Sequence, residues 1–337
     1  MNMDKEEVKR ETVCVTGAAG FIGSCLVKNL LQKGYVVHAT LRDPENPAKN
    51  SHLLSLPGAT ERLHLFKADL LQHGSFDSAI KGCDSVINLA TSTDFQGDVV
   101  NNTVDGTMDI LRSCKKAKTV KRVIHTSSMA AAYPLNEDGQ FKEVLDESCW
   151  TPVDYIKHKD DFSGIYALSK TLAEQAALRY GEEEEIEVVT VVLGMVGGPS
   201  LTPTIPGSVS TMLAPLSGNG LLYEILVSSK SMLGSAPLVH VEDVCSAHIY
   251  LMEHPSAAGR YVCCSDPVTV ADMLNFFRKR YPEIPLAFGT EEVEDESNKV
   301  FVPISSKKLI DLGFSYKYDI EGILSDTIAF AKQMKVL

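Results

Sequence analysis

The chain has 337 residues, of which 44% are hydrophobic and 23% charged, and its formal net charge is −12 at pH 7. This length and composition are typical of one large globular domain or two fused ones. The acidic charge argues against a nucleic-acid partner, because proteins that bind nucleic acids present a basic face. No apolar run is long enough to span a membrane.

The cysteines and the N-terminus indicate the cellular setting. The eight cysteines are scattered without the spacing of a metal site, and several lie in apolar strand or helix patterns, where a reduced thiol behaves as a small hydrophobe. The N-terminal tail, residues 1–11, is charged and lacks the apolar core of a signal peptide. We therefore expect a cytoplasmic protein with structural thiols and no metal.

The first elements along the chain form a dinucleotide-binding pattern. Thr12–Thr16 is a β-branched run that predicts a buried strand, and Phe21–Lys33 has a helical period. Gly17, Gly20 and Gly23 follow the strand at a spacing of three. In this pattern the first glycine allows the tight turn, the second lets the backbone approach a pyrophosphate, and the third lets the helix pack closely on the strand. Free N–H groups at the helix start attract the phosphate charge.

The second strand, Val36–Leu41, ends in a residue that bears on cofactor choice. Arg42 stands where an NAD-specific fingerprint has an acid. A guanidinium at this place suits the 2′-phosphate of NADPH, and Lys49 is a second candidate for the same contact. The alternative is that Arg42 is solvated and Asp43 binds the ribose. The spacing favours NADPH.

Two further strands supply more cofactor contacts. Leu63–Lys67 is the third predicted strand, and Asp69 after it is placed to accept from the adenine amino group or to cap the next helix. Ser85–Leu89 is the fourth, and the small residues Ala90 and Thr91 after it let a cofactor cross the strand ends. We predict these cofactor-binding residues: Gly17, Gly20, Phe21, Ile22, Gly23, Arg42, Lys49, Asp69, Leu70, Leu89, Ala90, Thr91, Tyr166 and Lys170.

The catalytic candidates follow the fifth strand. Arg122–Thr126 leads into Ser127 and Ser128, and Tyr166 opens a predicted helix that runs to about residue 180. Tyr166 and Lys170 are four residues apart and share one helix face. A free tyrosine has a pKa of about 10, and a nearby ammonium should lower that pKa toward the working range. The pair therefore indicates a proton donor for a hydride-transfer reaction.

The rest of the chain predicts a returning core and a variable lobe. Glu187–Leu193 is the sixth strand, and residues 197–238 are rich in Pro, Gly and Ser, which suits a substrate lobe or lid. The later predicted elements are a helix over Val239–His254, a strand over Gly259–Cys264, a helix over Val268–Tyr281, a strand over Phe301–Ile304, and helices over Ser305–Leu312 and Asp319–Met334.

Together these patterns predict an α/β fold. A Rossmann-type doubly wound parallel sheet occupies residues 12–193, and a smaller C-terminal α/β substrate lobe occupies residues 194–337, interleaved with returning Rossmann elements at about 239–264. His125, His240 and His248 lie on unrelated elements, which favours structural roles over a metal site.

Several segments carry a family resemblance: Val-Cys-Val-Thr-Gly-Ala-Ala-Gly-Phe-Ile-Gly-Ser (13–24), Ala-Thr-Leu-Arg-Asp-Pro (39–44), Lys-Ala-Asp-Leu (67–70), Thr-Val-Lys-Arg-Val-Ile-His-Thr-Ser-Ser (119–128), Leu-Asp-Glu-Ser-Cys-Trp (145–150), Ser-Lys-Thr-Leu-Ala-Glu (169–174) and His-Val-Glu-Asp-Val-Cys-Ser-Ala-His-Ile-Tyr-Leu (240–251). The chain resembles extended short-chain dehydrogenases/reductases, and within them the plant dihydroflavonol-4-reductase-like group. The resemblance implies Ser128, Tyr166 and Lys170 as the catalytic residues. It also implies Arg42 and Lys49 as the contacts to the NADPH phosphate.

The substrate half departs from that group. Tyr133 stands where dihydroflavonol reductases usually place an asparagine, and Leu193-Gly194-Met195 replaces the usual Pro-Thr after the sixth strand. We predict a flat apolar pocket. Its predicted lining residues are Met129, Tyr133, Met195, Met212, Leu213 and Tyr223.

The sequence therefore predicts an NADPH-dependent carbonyl reductase. The resemblance implies a role in plant specialised metabolism and a small flavonoid-like or other aromatic ketone or aldehyde as substrate. Tyr166 would donate the proton, and Ser128 would stabilise the developing charge on the carbonyl oxygen. Lys170 would hold the ribose. The alternatives are a nucleotide-sugar epimerase or a hydroxysteroid dehydrogenase of the same superfamily, or a non-catalytic NADP(H)-binding protein. The oligomeric state, monomer or dimer, stays open.

Overall fold

The computed structural model describes residues 11–92, 97–136, 138–158, 161–233, 235–265, 267–288 and 301–337, with the backbone alone at 229–232. Its strands, in chain order, are β1 Thr12–Thr16, β2 Val36–Leu41, β3 Leu63–Lys67, β4 Ser85–Asn88, β5 Arg122–Ser128, β6 Glu187–Leu193, β7 Met195–Gly197, β8 Leu238–His240 and β9 Gly259–Cys263. Its α-helices are α1 Phe21–Lys33, α2 Pro47–Leu54, α3 Ala59–Arg62, α4 Asp77–Ile80, α5 Val99–Ala117, α6 Val153–Ile156, α7 Phe162–Glu184, α8 Gly207–Met212, α9 Ala214–Ser217, α10 Gly220–Leu233, α11 Val241–Glu253, α12 Val270–Arg280, α13 Lys307–Asp311 and α14 Ile320–Gln333.

The central sheet has seven strands in the order β3-β2-β1-β4-β5-β6-β9, and every pairing in it is parallel. The chain reverses its direction of growth between β1 and β4, which is the topological switch point of a doubly wound sheet. Ligands bind at this point beyond the carboxyl ends of the strands. The predicted fold class is confirmed.

Helices cover both faces of the sheet because successive residues of a strand point to opposite sides. In β1, Val13 and Val15 pack in one hydrophobic cluster with α1 and α11, whereas Cys14 packs in another with α5 and α7. All three side chains are buried. A separate cluster in the C-terminal half joins α8, α9, α10, α12 and α14. It forms the core of the lobe next to the sheet, and the predicted boundary at residues 193 and 194 stays a prediction.

Three predicted elements differ from the structure. The fifth strand continues to Ser128, so both serines belong to β5. The catalytic helix begins at Phe162 and not at Tyr166, because the side chain of Asp161 accepts from the N–H of Gly164 at 2.7 Å and caps it there. The segment 301–304 is not a strand: only Ile304 forms an isolated bridge, with Leu145.

Other boundaries move by a few residues for local reasons. The helix predicted from Val239 begins at Val241, because the residues before it form β8. The helix predicted from Val268 begins at Val270, where Thr269 and Asp272 form a capping box. β4 ends one residue before Leu89, and β9 one residue before Cys264. The last two helices are shorter at both ends than predicted. Of the described helices, none is long and apolar enough to cross a membrane.

Candidate active site

The glycine loop between β1 and α1 is built as a cradle. Gly17 has a φ of 65°, which a residue without a side chain adopts at little cost, and its carbonyl accepts from the N–H of Gly20 at 3.1 Å. A Cβ on Gly23 would overlap the carbonyl oxygen of Gly17 and the backbone of Ala18. Gly23 therefore lets the helix pack on the loop itself, and not only on the strand as predicted.

The start of α1 fits a pyrophosphate. Among the described residues, no side chain caps the helix at Gly20, and its first turn contains no acidic residue. Backbone N–H groups at such an end are free to donate to an anion, and the helix dipole favours negative charge there. The residues present therefore fit the phosphate part of a dinucleotide.

Thr16 at the end of β1 fixes the opposite wall of the cradle. Its hydroxyl oxygen accepts from the N–H groups of Leu89 and Ala90, at 3.1 and 3.0 Å, and donates to Oδ1 of Asn88 at 2.7 Å. The last residues after β4 are thereby held beside the glycine loop. This is where the sequence predicts that the cofactor crosses the strand ends.

A cavity of about 600 Å³ extends from this loop to the C-terminal lobe. It brings together the glycine loop, the catalytic candidates and part of the predicted substrate pocket. Its described lining includes Gly17, Gly20, Phe21, Ile22, Gly23, Leu89, Thr91, Ser128, Met129, Tyr133, Tyr166, Lys170 and Met195.

The catalytic candidates meet at the centre of the cavity. The hydroxyl of Ser128 lies close enough to Tyr166 to lower the pKa of that tyrosine, and Ser128 Oγ accepts from the N–H of Ala130 at 3.2 Å. Lys170 is buried, and its Nζ donates to the carbonyl oxygen of Thr126 at 2.7 Å. The cavity therefore brings a phenol, a hydroxyl and an amine together in one place.

The pKa values of this cluster are set mainly by burial. Burial raises the pKa of Tyr166, and the nearby hydroxyl of Ser128 opposes that rise. Burial lowers the pKa of Lys170 to about 8, and the carboxylate of Glu174 opposes that fall. The net shift of the Tyr166 pKa is thus upward, whereas a downward shift caused by Lys170 was predicted. The difference arises because desolvation is the largest effect on both groups.

The structure distinguishes the two adjacent serines of β5. Ser127 Oγ donates to Oε2 of Glu174 at 2.6 Å, and Ser127 is 3% exposed. Ser128 faces Tyr166, as the resemblance implies. Successive residues of a strand point to opposite faces, so only one of the two hydroxyls can reach Tyr166.

The predicted contacts to the adenosine half lie beyond this cavity. Arg42 directly follows β2 and Lys49 lies near the start of α2, and both are exposed. Asp69 Oδ1 accepts from the N–H of Leu71 at 3.0 Å, which closes a turn and does not cap a helix. Leu70 packs so closely over Gly106 that a Cβ there would overlap it. The cofactor roles of these residues stay predictions.

Three of the six predicted pocket residues lie elsewhere. Met212 is fully buried in the core of the lobe, together with Leu213, and the ring of Tyr223 stacks on Phe288 at a centroid distance of 4.7 Å. Met212 follows Thr211, which does line the cavity. Neighbouring residues of a helix point in directions about 100° apart, and the apolar side of α8 faces the lobe.

Sequence reasoning missed Phe162 at the mouth of the cavity. Its ring is 49% exposed and lies parallel to that of Tyr166, with an interplanar angle of 5° and centroids 6.2 Å apart. The sequence spacing could have identified Phe162, because Phe162 and Tyr166 are four residues apart and such pairs share a helix face. Placing the helix start at Tyr166 hid this relation.

A doubly wound sheet, a glycine cradle and a Ser-Tyr-Lys cluster in one cavity define a dinucleotide-dependent oxidoreductase of the short-chain dehydrogenase/reductase type. A sequence model described as the NAD dependent epimerase/dehydratase family matches residues 13–264, and the chain belongs to that family.

Relatives and solved structures agree with this assignment. The chain is 47% identical to a putative anthocyanidin reductase of Ginkgo biloba over 97% of this chain and 96% of the relative. It is 41% identical to dihydroflavonol 4-reductase of Arabidopsis thaliana over 96% of this chain and 83% of that protein. The crystal structure of vestitone reductase from alfalfa superposes with a TM-score of 0.82 at 39% identity, covering 97% of this chain and all of the other.

The fold is also shared with a more distant enzyme. Yeast methylglyoxal/isovaleraldehyde reductase, solved in complex with NADPH, superposes with a TM-score of 0.78 at 22% identity and covers 97% of this chain.

Proposed function

We propose that this protein is an NADPH-dependent carbonyl reductase acting on a flavonoid-like or other small aromatic ketone or aldehyde. The observation that carries the proposal is that Ser128, Tyr166 and Lys170 line one cavity, which joins the glycine cradle to an apolar lobe. Similarity to anthocyanidin, dihydroflavonol and vestitone reductases supports the substrate class.

The chain's own residues provide binding and proton transfer. When bound, NADPH supplies the hydride. The cradle formed by Gly17 and Gly20 would hold the pyrophosphate, and Arg42 with Lys49 would contact the 2′-phosphate. The hydroxyl of Ser128 donates a hydrogen bond to the carbonyl oxygen, where negative charge develops.

Tyr166 supplies the proton to the same oxygen. Because burial raises the pKa of Tyr166, its hydroxyl carries a proton at neutral pH and is ready to donate it. Lys170 would orient the ribose. Its ammonium, held at the Thr126 carbonyl, would also stabilise the phenolate left after proton transfer.

The substrate end of the cavity favours an aromatic ring. Met129, Tyr133 and Met195 line it, and the Ser208 and Thr211 hydroxyls donate to backbone carbonyl oxygens at 2.7 and 3.0 Å. Those two hydroxyls are engaged within the protein, so the surface that they offer a ligand is mainly apolar.

The test is an assay of purified protein and NADPH with a dihydroflavonol, an isoflavanone, an anthocyanidin and a phenolic aldehyde. We expect net oxidation of NADPH that matches the alcohol formed, and a kcat about 100-fold lower or more in Tyr166→Phe. Turnover without net NADPH consumption would favour an epimerase, which regenerates its cofactor. Undiminished turnover in Tyr166→Phe would contradict the catalytic assignment.

A cytoplasmic location is part of the proposal. All eight cysteines lie in the described part of the chain, where they are buried and form no disulfide, as expected in a reducing compartment. Imaging of a fluorescent fusion in plant cells tests this location, and accumulation in a secretory compartment would contradict it.

A further inference from the structure

Glu174 extends the catalytic face of α7 by one turn. Residues spaced by four share a helix face, so Tyr166, Lys170 and Glu174 form one row. Glu174 is fully buried and pairs with Arg260 of β9, through Nε to Oε1 at 2.7 Å and Nη2 to Oε2 at 3.2 Å. Burying two charges is favourable only with good geometry and further hydrogen bonds, and both are present here.

The Glu174 carboxylate also binds the two strands beneath the catalytic helix. Its Oε2 accepts from Ser127 Oγ at 2.6 Å, and its Oε1 accepts from Thr190 Oγ1 at 2.6 Å. Ser127 directly precedes Ser128 in β5. Because hydrogen bonds to a charged group are strong and directional, this carboxylate fixes the register between α7 and β5. That register decides how Tyr166 meets Ser128.

Arg260 extends the network to the wall of the substrate cavity. The guanidinium lies over the ring of Trp150, 3.6 Å from its centroid. Ala131, one of its acceptors, stands between the wall residues Met129 and Tyr133. The backbone carbonyl oxygens that accept from Arg260 are those of Ala131, Glu147 and Cys149.

We infer that Glu174 and Arg260 are positioning residues for the reaction, which hold the catalytic helix, the Ser128 strand end and the cavity wall in one arrangement. The inference rests on the proposed reductase function. The contacts of this pair lie on α7, β5 and β6 and at the carbonyl oxygens of Ala131, Glu147 and Cys149. All of these are away from the glycine loop that would receive the phosphates. The pair should therefore govern kcat and leave the binding of NADPH largely unchanged.

Arg122 provides a matched control within the same sheet. It is also buried, and its Nη2 lies 2.7 Å from Oε2 of Glu187. Its Nη1 donates to the carbonyl oxygens of Leu251 and Met252 at 3.0 and 3.2 Å. Arg122 begins β5, however, whereas Ser128 ends it. Loss of its guanidinium should destabilise the fold at the end of the sheet remote from the cavity.

The experiment measures kcat, the KM of NADPH and Tm for the wild type and for Glu174→Gln, Arg260→Lys and Arg122→Lys. The substrate is the carbonyl compound of the panel above that gives the highest rate. Since small misplacements of reacting groups are costly, we expect kcat to fall about 100-fold in Glu174→Gln and about tenfold in Arg260→Lys. We expect the KM of NADPH to stay within about threefold of the wild-type value in both variants. Arg122→Lys should lower Tm and leave kcat within about threefold.

A double variant, Glu174→Met with Arg260→Met, covers the case in which the single variants do not fold, because replacing both charges of a buried pair by apolar side chains is often neutral for stability. The inference is overturned if folded variants keep kcat near the wild-type value or if the KM of NADPH rises along with the loss of kcat. It is also overturned if Arg122→Lys loses as much activity, or if the double variant also fails to fold.

The two proposals fail in different ways. A wild-type protein that is inactive on the whole panel counts against the proposed function and against the inference that rests on it. An active wild type with unaffected variants counts against the inference alone.

Discussion

Lys170 donates from Nζ to the backbone carbonyl oxygen of Thr126 at 2.7 Å, which ties the catalytic helix to the strand that ends in Ser128. His125 and Glu174 interact electrostatically with this ammonium, and His248 hydrogen-bonds the Thr126 hydroxyl. Burial lowers the pKa of both histidines, to about 3 and about 4, so they are neutral at physiological pH. Glu174 is therefore the charged neighbour that favours the protonated amine.

The pH dependence of kcat should follow Lys170. Its pKa is lowered to about 8, and a lysine is charged below its pKa, so the ammonium is progressively lost as the pH rises through about 8. Tyr166 stays protonated over this range, because burial raises its pKa. We expect kcat for carbonyl reduction to be level at neutral pH and to fall above about pH 8.

A pH–rate profile at saturating NADPH and substrate checks this expectation. Lys170→Met should lower kcat at neutral pH and remove the fall in kcat on the basic side. A wild-type kcat that stays level to about pH 10 would contradict the role of the ammonium.

Ser128 and Ser127 should respond differently to the same substitution. Ser128→Ala removes the hydroxyl that stabilises the carbonyl oxygen, and we expect kcat to fall by about 100-fold or more with little change in Tm. Ser127→Ala leaves Oε2 of Glu174 with one hydrogen bond fewer, and should cost about 1–3 kcal/mol of unfolding free energy. Its kcat should fall less than that of Ser128→Ala. Urea unfolding and steady-state kinetics on both variants make the comparison, and equal losses of kcat would contradict the assignment of Ser128.

Gly23 should be essential for cofactor binding. An alanine Cβ at Gly23 would overlap the carbonyl oxygen of Gly17, so the loop that receives the pyrophosphate must move. We expect Gly23→Ala to raise the KM of NADPH about tenfold or more, because the loop's N–H groups no longer converge on the phosphates.

Gly34, at the other end of α1, is the control for this substitution. Its φ of 93° makes an alanine strained there, but a Cβ at that position would meet no atom within 4 Å among the described residues. Gly34→Ala should therefore cost about 1–2 kcal/mol of stability without changing the KM of NADPH. An equal change in the KM of NADPH in both glycine variants would show that the effect of Gly23→Ala does not come from displacement of the glycine loop.

Arg42 should discriminate between the two nicotinamide cofactors. Its guanidinium is exposed at the end of β2, where the 2′-phosphate is expected. We expect Arg42→Ala to raise the KM of NADPH about tenfold and that of NADH by less than about twofold, because only NADPH carries the extra phosphate. Steady-state kinetics with both cofactors measure the two values. A similar rise for NADH would indicate that Arg42 does not contact that phosphate, and Asp43→Ala would then test the alternative ribose contact.

Local pattern was enough to place most of the architecture. β1, α1, β2, β3 and β6 have the predicted bounds, because each combines a clear hydrophobic period with a turn residue or cap at its end. The prediction of a strand over Phe301–Ile304 was wrong, because whether a segment pairs with a neighbouring strand depends on contacts with distant parts of the chain. Val302 and Ile304 pack on the core, but Phe301 is exposed. Among the described residues only Ile304 of this segment forms a bridge, and its partner is the distant Leu145.

The structure brings the catalytic candidates together, whereas it places half of the predicted substrate-pocket residues outside the cavity. Tyr166 and Lys170 lie on one helix, so their spacing alone places them together. Met212 lies on α8 and Tyr223 on α10, and packing in the lobe core with α12 and α14 sets which side of each helix faces the cavity. An apolar residue is suitable for either side, so composition could not decide between a ligand pocket and a hydrophobic core.

By itself, the sequence determined the strand-glycine-helix start, the positions of most strands along the chain and the spacing of Tyr166 and Lys170. These are local relations between near neighbours in the chain. Only the tertiary structure decided which of two adjacent serines faces Tyr166, and that burial outweighs Lys170 in setting the pKa of that tyrosine. It also joined Glu174 to Arg260 across 86 positions of sequence separation. These outcomes depend on desolvation and on contacts between distant segments, which exist only once the chain has folded.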